Sequence, residues 1–104
     1  MSQKHLGEFE LLVAAAVLRL GDAAYGTAIR NEIERRANRT VTVGALYATL
    51  ARMEEKAVLS ARTGEATPTR GGRAKRYFRL TPTGHALLER SVAALTRMLE
   101  GVAL

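Results

Sequence analysis

The residues best suited to binding chemistry form a cluster of cations late in the chain. Arg70, Arg73, Lys75 and Arg76 place four positive charges within seven residues, around the glycine pair at 71–72. Glycine lets a backbone approach its partner closely, so such a loop can follow a phosphate backbone or place an arginine in a minor groove. The alternative is a flexible, solvated basic loop. Taken alone the segment fits that alternative, whereas a preceding helix-turn-helix favours a DNA contact.

The segment at 40–56 has the pattern of a short helix with two different faces. Leu46, Leu50 and Met53 recur at helical spacing and should face a core. Thr42 is a candidate N-cap, because its hydroxyl can accept from a free amide of the first turn. The other side carries small or polar residues: Ala45, Ala48, Thr49 and Arg52. A major groove admits a helix whose surface is not bulky, so this helix could read DNA; an ordinary amphipathic helix is the alternative.

Three further side chains are candidate contacts to nucleic acid. Tyr47, on the flank of that helix, could reach a phosphate with its hydroxyl, and Tyr25 opens the preceding helix, where free amides favour phosphate. Arg52 could touch backbone or base. Half-buried packing is the alternative for each tyrosine, and a surface pair with Glu55 or Glu32 is the alternative for the arginine.

Composition limits the classes of function. The 104 residues are 47% hydrophobic, which fits one compact domain, and 16 Lys and Arg against 10 Asp and Glu give a net charge of +6. That balance favours a polyanionic partner, nucleic acid first and an anionic membrane second. The longest apolar run, at 11–18, is too short to cross a bilayer and no signal-peptide pattern precedes it. We therefore expect a cytoplasmic protein without a membrane partner.

Catalytic and metal chemistry have little support in the sequence. There is no cysteine, and the two histidines, His5 and His85, are far apart, which argues against a disulfide framework or a zinc site. Neither a nucleophile elbow nor a phosphate loop of the Walker type is present. The sequence predicts no enzyme, no metal site and no cofactor.

The remaining patterns supply the elements that would position these residues. A helix that is apolar most of the way round runs from Leu6 to Gly21, so it is either central to the fold or shared with a second subunit. A second helix continues to about Ala37, and a short turn joins it to the helix at 40–56. Strands at 58–63 and 76–80, joined by a loop at 64–74, form a wing in which Tyr77 and Phe78 point to opposite faces.

The last helix should begin at Thr81 as N-cap, with Pro82 in the first helical position. Apolar residues then follow a heptad spacing of four, three, four and three: Leu88, Val92, Leu95, Leu99 and Val102. This seam either covers the core of its own domain or pairs with a partner helix. We favour a dimer seam, because a sustained heptad suits a partner helix.

Three of these segments together resemble the PadR family of transcriptional regulators: residues 44–59, residues 71–84 and the Tyr25-Gly26 pair. The resemblance implies a winged-helix domain with a C-terminal dimerisation helix. It further implies a homodimer that binds a pseudo-palindromic operator and usually represses. It assigns DNA contacts to Thr42, Gly44, Ala45, Tyr47, Arg52, Arg70, Arg73 and Lys75. Our reasoning from the residues themselves adds Tyr25 and Arg76.

Two features depart from the family pattern. Ala48 stands where the family often has a proline, and the chain has no tryptophan. Some small members stack planar drugs between tryptophans at the dimer interface, so that mode of ligand binding does not transfer.

The sequence therefore predicts an α+β, mainly α, fold: one winged helix-turn-helix domain over residues 1–104. Residues about 6–80 would bind DNA, and a C-terminal helix at about 81–104 would dimerise. The predicted function is a DNA-binding transcriptional regulator, a homodimeric repressor of double-stranded operator DNA, with release by a small-molecule effector as a further expectation. The alternative is a winged-helix adaptor that binds an acidic protein partner.

Overall fold

The computed structural model describes residues 4–64 and 75–104, and it has the mainly helical α+β architecture that the sequence predicts. In chain order the elements are α1 (Glu8–Leu20), a short 3₁₀ helix (Gly21–Ala23), α2 (Gly26–Ala37), α3 (Val43–Glu55), β1 (Leu59–Thr63), β2 (Arg76–Leu80) and α4 (Pro82–Leu99). Helices α2 and α3 form the helix-turn-helix, and the β1–β2 hairpin is the base of the wing.

Both predicted threonine caps are confirmed. The Thr42 hydroxyl accepts from the Ala45 amide at 3.1 Å, and the Thr81 hydroxyl accepts from the Gly84 amide at 2.9 Å. Pro82 occupies the first turn of α4, where its missing N–H costs no helical hydrogen bond. A threonine N-cap contributes about 1 kcal/mol to helix stability. Local sequence chemistry therefore fixes where the third and fourth helices begin.

The C-terminal end of α4 differs from the prediction. The helix ends at Leu99, and Gly101 follows with a left-handed φ of 75°. Val102 lies beyond that glycine, where its amide donates to the Leu99 carbonyl at 3.0 Å. The prediction that Val102 continues the heptad was therefore wrong, because a glycine in the left-handed region ends the helix one step earlier.

The hairpin is antiparallel, with Leu59 opposite Leu80 and Thr63 opposite Arg76. Its second strand is also bonded to the chain just before α2. The Phe78 amide donates to the Ala24 carbonyl at 2.8 Å, and Tyr25 and Tyr77 form an isolated bridge. The base of the wing is therefore tied to the start of the helix-turn-helix.

The core lies where the three N-terminal helices meet the hairpin. Its largest fully buried side chains are Ile29, Leu46, Leu50, Met53, Leu59, Val13 and Val58. Helix α1 contacts α2, α3, α4 and β2, so it is central to the fold, although Ala15 and Leu18 on its outer side are exposed. Phe78 is buried while Tyr77 is half-buried, as the alternation of the strand predicts.

Candidate nucleic-acid interface

Helix α3 turns one side to the core and leaves the other open to solvent. The open side carries predicted contact residues, which are all exposed: Gly44, Ala45, Tyr47 and Arg52, with the cap Thr42 just before them. Thr49 was predicted to share this side, but it is only 3% exposed. The prediction was wrong because Leu46, Thr49, Leu50 and Met53 follow the i, i+3, i+4, i+7 spacing of a single buried stripe.

Arg52 forms neither of the ion pairs that the sequence suggested. Its Nη2 donates to the Thr49 hydroxyl at 3.2 Å, while Glu32 is bound by other arginines. A neutral hydroxyl leaves the positive charge of Arg52 uncancelled. That charge therefore remains available on the exposed side of α3.

Tyr47 lies against the first turn of α2. The side chain is 49% exposed, and its hydroxyl occupies the space that a Cβ at position 26 would need. A Cβ on Gly26 would also lie 2.7 Å from Cζ of the Tyr47 ring. Glycine at position 26 thus allows the tyrosine to bring α3 and the start of α2 together.

Two aromatic rings in contact, with a cation on the outer side of each, join the wing base to the N-cap of α2. The rings of Tyr25 and Tyr77 meet edge to face, with centroids 5.8 Å apart. The Lys75 ammonium lies 4.1 Å from the centroid of the Tyr25 ring, and the Arg62 guanidinium lies 4.7 Å from that of Tyr77. We call these four residues the wing-base stack. The sequence did not identify Tyr77 or Arg62 as site residues.

Gly64 makes room for this stack. A Cβ at position 64 would lie 2.5 Å from Cε2 of the Tyr77 ring, and the Gly64 amide donates to the Lys75 carbonyl at 2.7 Å. The hydrogen bond holds the two ends of the wing together at this point. Arg70 and Arg73, both predicted to contact DNA from the wing, lie outside the described residues.

Arg76 is predicted to contact DNA, and it already has an anionic partner. Its Nη2 lies 2.5 Å from Oε2 of Glu54 in the last turn of α3, and its guanidinium is 5.9 Å from the centroid of the Phe78 ring. The ion pair joins the last turn of α3 to the first residue of β2.

These parts surround an open cavity of about 300 Å³. Its walls are the first turn of α2 (Tyr25 to Thr27), Tyr47 and Glu54 of α3, and Lys75 and Arg76 of the wing base. Tyr25 is the N-cap residue of α2, but its side chain makes no capping hydrogen bond. The amides of that first turn therefore have no side-chain cap from Tyr25, and they sit at the positive end of a helix dipole.

A second charged cluster lies away from this cavity, on the side where α2 packs on α1. The Glu32 carboxylate receives Arg19 at 3.0 Å, Arg35 at 2.6 Å and Arg36 at 2.9 Å. Burial acts to raise the pKa of the Glu32 carboxyl, but the hydrogen bonds from these arginines outweigh it and hold that pKa below its ordinary value. The cluster joins α1 to α2.

Helix α4 exposes a stripe of apolar side chains. Leu87 and Ser91 pack inward, and the Ser91 hydroxyl accepts from the Leu6 amide at 2.8 Å. Leu88 is half-buried against the core, whereas the predicted seam residues beyond it, Val92, Leu95 and Leu99, are 49%, 54% and 41% exposed. Met98 is 76% exposed beside them.

Residues 4–64 and 75–104 contain no group of three or more His, Cys, Asp or Glu side chains that could hold a metal ion. No helix in the described part of the chain has both the length and the apolar character that crossing a bilayer requires.

Comparison with known proteins identifies the family and the fold. The model of the transcriptional regulator PadR-like family matches residues 16–90. No curated protein sequence matches the chain significantly. Among solved structures, a PadR-like transcription factor from Bacteroides fragilis is 26% identical over 90% of this chain and 85% of its own, with a TM-score of 0.72.

Two more distant structures are similar in fold. A PadR family transcription regulator from Clostridium difficile is 23% identical, with 90% of this chain and 96% of that chain covered and a TM-score of 0.70. A transcriptional regulator from Clostridium thermocellum is 20% identical, with 88% and 85% covered and a TM-score of 0.73.

Proposed function

The chain belongs to the PadR-like family of transcriptional regulators, and from that premise we propose that it is a homodimeric repressor of a pseudo-palindromic DNA operator. The family consists of DNA-binding regulators and not of enzymes, in agreement with the sequence-based expectation. In this proposal each α3 enters a major groove and each wing follows the neighbouring backbone or minor groove. The protein would act in the cytoplasm.

The convergence of three elements on one side of the molecule carries the proposal. The uncapped first turn of α2, Tyr47 and Glu54 of α3 and the wing base border a single cavity. The exposed Gly44 and Ala45 lie in the first turn of the same α3 helix. Backbone amides at a helix start and lysine both suit phosphate, while Gly44 and Ala45 leave room for base edges to come close. Tyr25, Tyr47 and Lys75 would therefore contact the backbone, and the first half of α3 would face the bases.

The exposed face of α4 supports the dimer. Val92, Leu95, Met98 and Leu99 together leave a continuous apolar stripe in contact with solvent. Covering such a stripe with the same helix of a second copy would remove it from water and fix the distance between the two α3 helices. The DNA-bound and free dimers would differ in the distance between their α3 helices. An effector would release the operator by binding more tightly to the free dimer.

A salt series tests the DNA contact. Labelled duplex would be titrated with the wild type, with Lys75→Gln and with Arg97→Gln, which removes an exposed cation from α4. A cation that touches a phosphate releases counterions, and each such contact contributes about 0.9 to the slope of log affinity against log salt. We expect Lys75→Gln to lower that slope by about 0.9 per protomer and to weaken binding, while Arg97→Gln changes neither appreciably.

The same titration distinguishes the proposed DNA-binding repressor from the alternative, an adaptor that binds an acidic protein. Equal effects of the two substitutions would show that net charge, and not this surface, attracts DNA. An adaptor for an acidic protein would bind duplex weakly without sequence preference. Selection of bound duplexes from a random pool would then return no consensus, contrary to our proposal.

A further inference from the structure

We propose that Glu54 is a specificity-determining residue, which keeps Arg76 from strengthening contacts to arbitrary DNA. The inference rests on the proposed function, since it assumes that α3 and the wing base face a duplex. Glu54 is the acidic side chain of a cavity that is also lined by the cations Lys75 and Arg76. Glu54 and Arg76 are 22 residues apart in the chain, so the charge pattern of the sequence does not reveal the pair.

The geometry places Glu54 where it can act on the interface. It lies in the last turn of α3, it borders the cavity between α2, α3 and the wing base, and its side chain is 30% exposed. Its carboxylate binds Arg76, which is 58% exposed. Both partners are therefore accessible to a phosphate that enters the cavity.

The other cations at this surface are held differently. Lys75 stacks on the Tyr25 ring and Arg52 donates to the Thr49 hydroxyl, and neither contact cancels the positive charge. In the described part of the chain, neither of them has a carboxylate partner within ion-pair distance. Arg76 differs because a carboxylate offsets its charge before any DNA arrives.

This pairing penalises a misplaced duplex more than a well-placed one. A guanidinium has five donors, so a phosphate in the right position can bind Arg76 from the side that Glu54 leaves free. A phosphate in another position gains little from the neutralised arginine and is repelled by the carboxylate. The result is a lower affinity for random sequence and a larger ratio between operator and random DNA.

Removing the charge should therefore increase non-specific binding. Glu54→Gln keeps the size of the side chain, and an exposed ion pair contributes little to folding stability, so the variant should fold. Freed Arg76 would add about one phosphate contact per protomer, which steepens the salt slope by about 0.9 for each protomer bound. At salt near 0.1 M each added contact corresponds to roughly a threefold to tenfold gain in affinity for random duplex.

The neighbouring residue provides a matched control. Glu55→Gln removes the same charge one position along α3, from an exposed side chain that has no ion pair within the described residues. Wild type, Glu54→Gln and Glu55→Gln would be titrated with a short random-sequence duplex and with a duplex selected by the wild type. We expect Glu54→Gln alone to show the steeper slope, and to gain more on random than on selected duplex.

Arg76→Gln completes a double-mutant cycle. It should lower random-duplex affinity more in the Glu54→Gln background, where it reverses the gain, than in the wild type, where Glu54 already offsets the charge of Arg76. Equal gains for Glu54→Gln and Glu55→Gln, or equal losses from Arg76→Gln in both backgrounds, would overturn the proposal while leaving the proposed function intact. Failure of the wild type itself to bind duplex in a salt-dependent way would instead refute the proposed function.

Discussion

Helices α3 and α4 are built alike, but the side chains that they expose differ in chemical character. Both begin at a threonine N-cap, and both bury one stripe of side chains. The outer side of α3 bears Gly44, Ala45 and Arg52, whereas that of α4 bears Val92 and Leu95. Packing in the core accounts for the residue types on the inner sides of the two helices, but it does not account for those on their outer sides. The outer side is therefore where the two helices differ in function.

The difference indicates which partner each helix accepts. Small residues and uncancelled positive charge suit a hydrated polyanion, to which the backbone must come close. A stripe of exposed aliphatic side chains is costly in water and suits another apolar surface. We therefore propose that α3 faces DNA and α4 faces a second copy.

The largest effect is expected from Leu95→Glu. A carboxylate in the middle of the α4 stripe would have to be buried without a partner, so the dimer should dissociate. Two linked half-site contacts would become one, which should weaken operator binding by roughly a hundredfold. Sedimentation should show the mass of one chain. Ala93→Glu, which adds the same charge at an exposed position on the other side of the helix, should leave both mass and affinity nearly unchanged.

An intermediate effect is expected on the α3 side. A Cβ at position 44 meets nothing within 4 Å in the protein, so Gly44→Ala should fold and gain up to about 0.5 kcal/mol from its better helix propensity. If bases approach this turn closely, the added methyl should nevertheless weaken operator binding by about tenfold. Thermal unfolding and duplex titration would be measured on the same sample. An unchanged affinity would show that the bases do not approach the first turn of α3 closely.

The smallest effect on either partner is expected from Glu32, which belongs to neither outer side. Because its pKa is lowered by folding, the folded state binds fewer protons than the unfolded state. Its contribution to stability is thus complete above the ordinary carboxyl pKa and is lost as pH falls through the lowered value. Glu32→Gln should lower the unfolding temperature at neutral pH, and the difference from wild type should narrow under acid conditions.

Mass and duplex affinity should stay close to wild type in Glu32→Gln. A difference in unfolding temperature that persists unchanged in acid would mean that the carboxylate charge is not what stabilises the cluster. Dissociation of the dimer would place this cluster in the subunit interface.

Local rules predicted much of the fold. Helical spacing located the buried Leu46, Leu50 and Met53 of α3, and threonine caps set the starts of α3 and α4. Strand alternation predicted that Tyr77 and Phe78 point to opposite faces, and the structure buries Phe78 while Tyr77 stays half-buried. Each of these features depends on residues a few positions apart, which the sequence displays directly.

The features that were not predicted are of two kinds. One is the burial of a small polar side chain within a helix, and the other is contact between residues far apart in the chain. Thr49 was predicted on the outer side with the other small residues, yet it is buried among core residues. Burying its small hydroxyl costs little, because the hydroxyl accepts a hydrogen bond from Arg52. The Tyr25–Tyr77 and Glu54–Arg76 contacts join residues of different elements. These contacts form only when the hairpin packs beside the helix-turn-helix, so the sequence alone does not reveal them.

The central claim is that DNA touches the side formed by α2, α3 and the wing base and does not touch α4. Amide chemical shifts of the dimer, recorded with and without a selected duplex, test it most directly. We predict that the largest changes fall at Tyr25 to Ala28, at Thr42 to Ala48 and at Lys75 to Tyr77, with residues 88–99 nearly unchanged. Changes concentrated on α4, or an absence of change in the first turns of α2 and α3, would contradict the account.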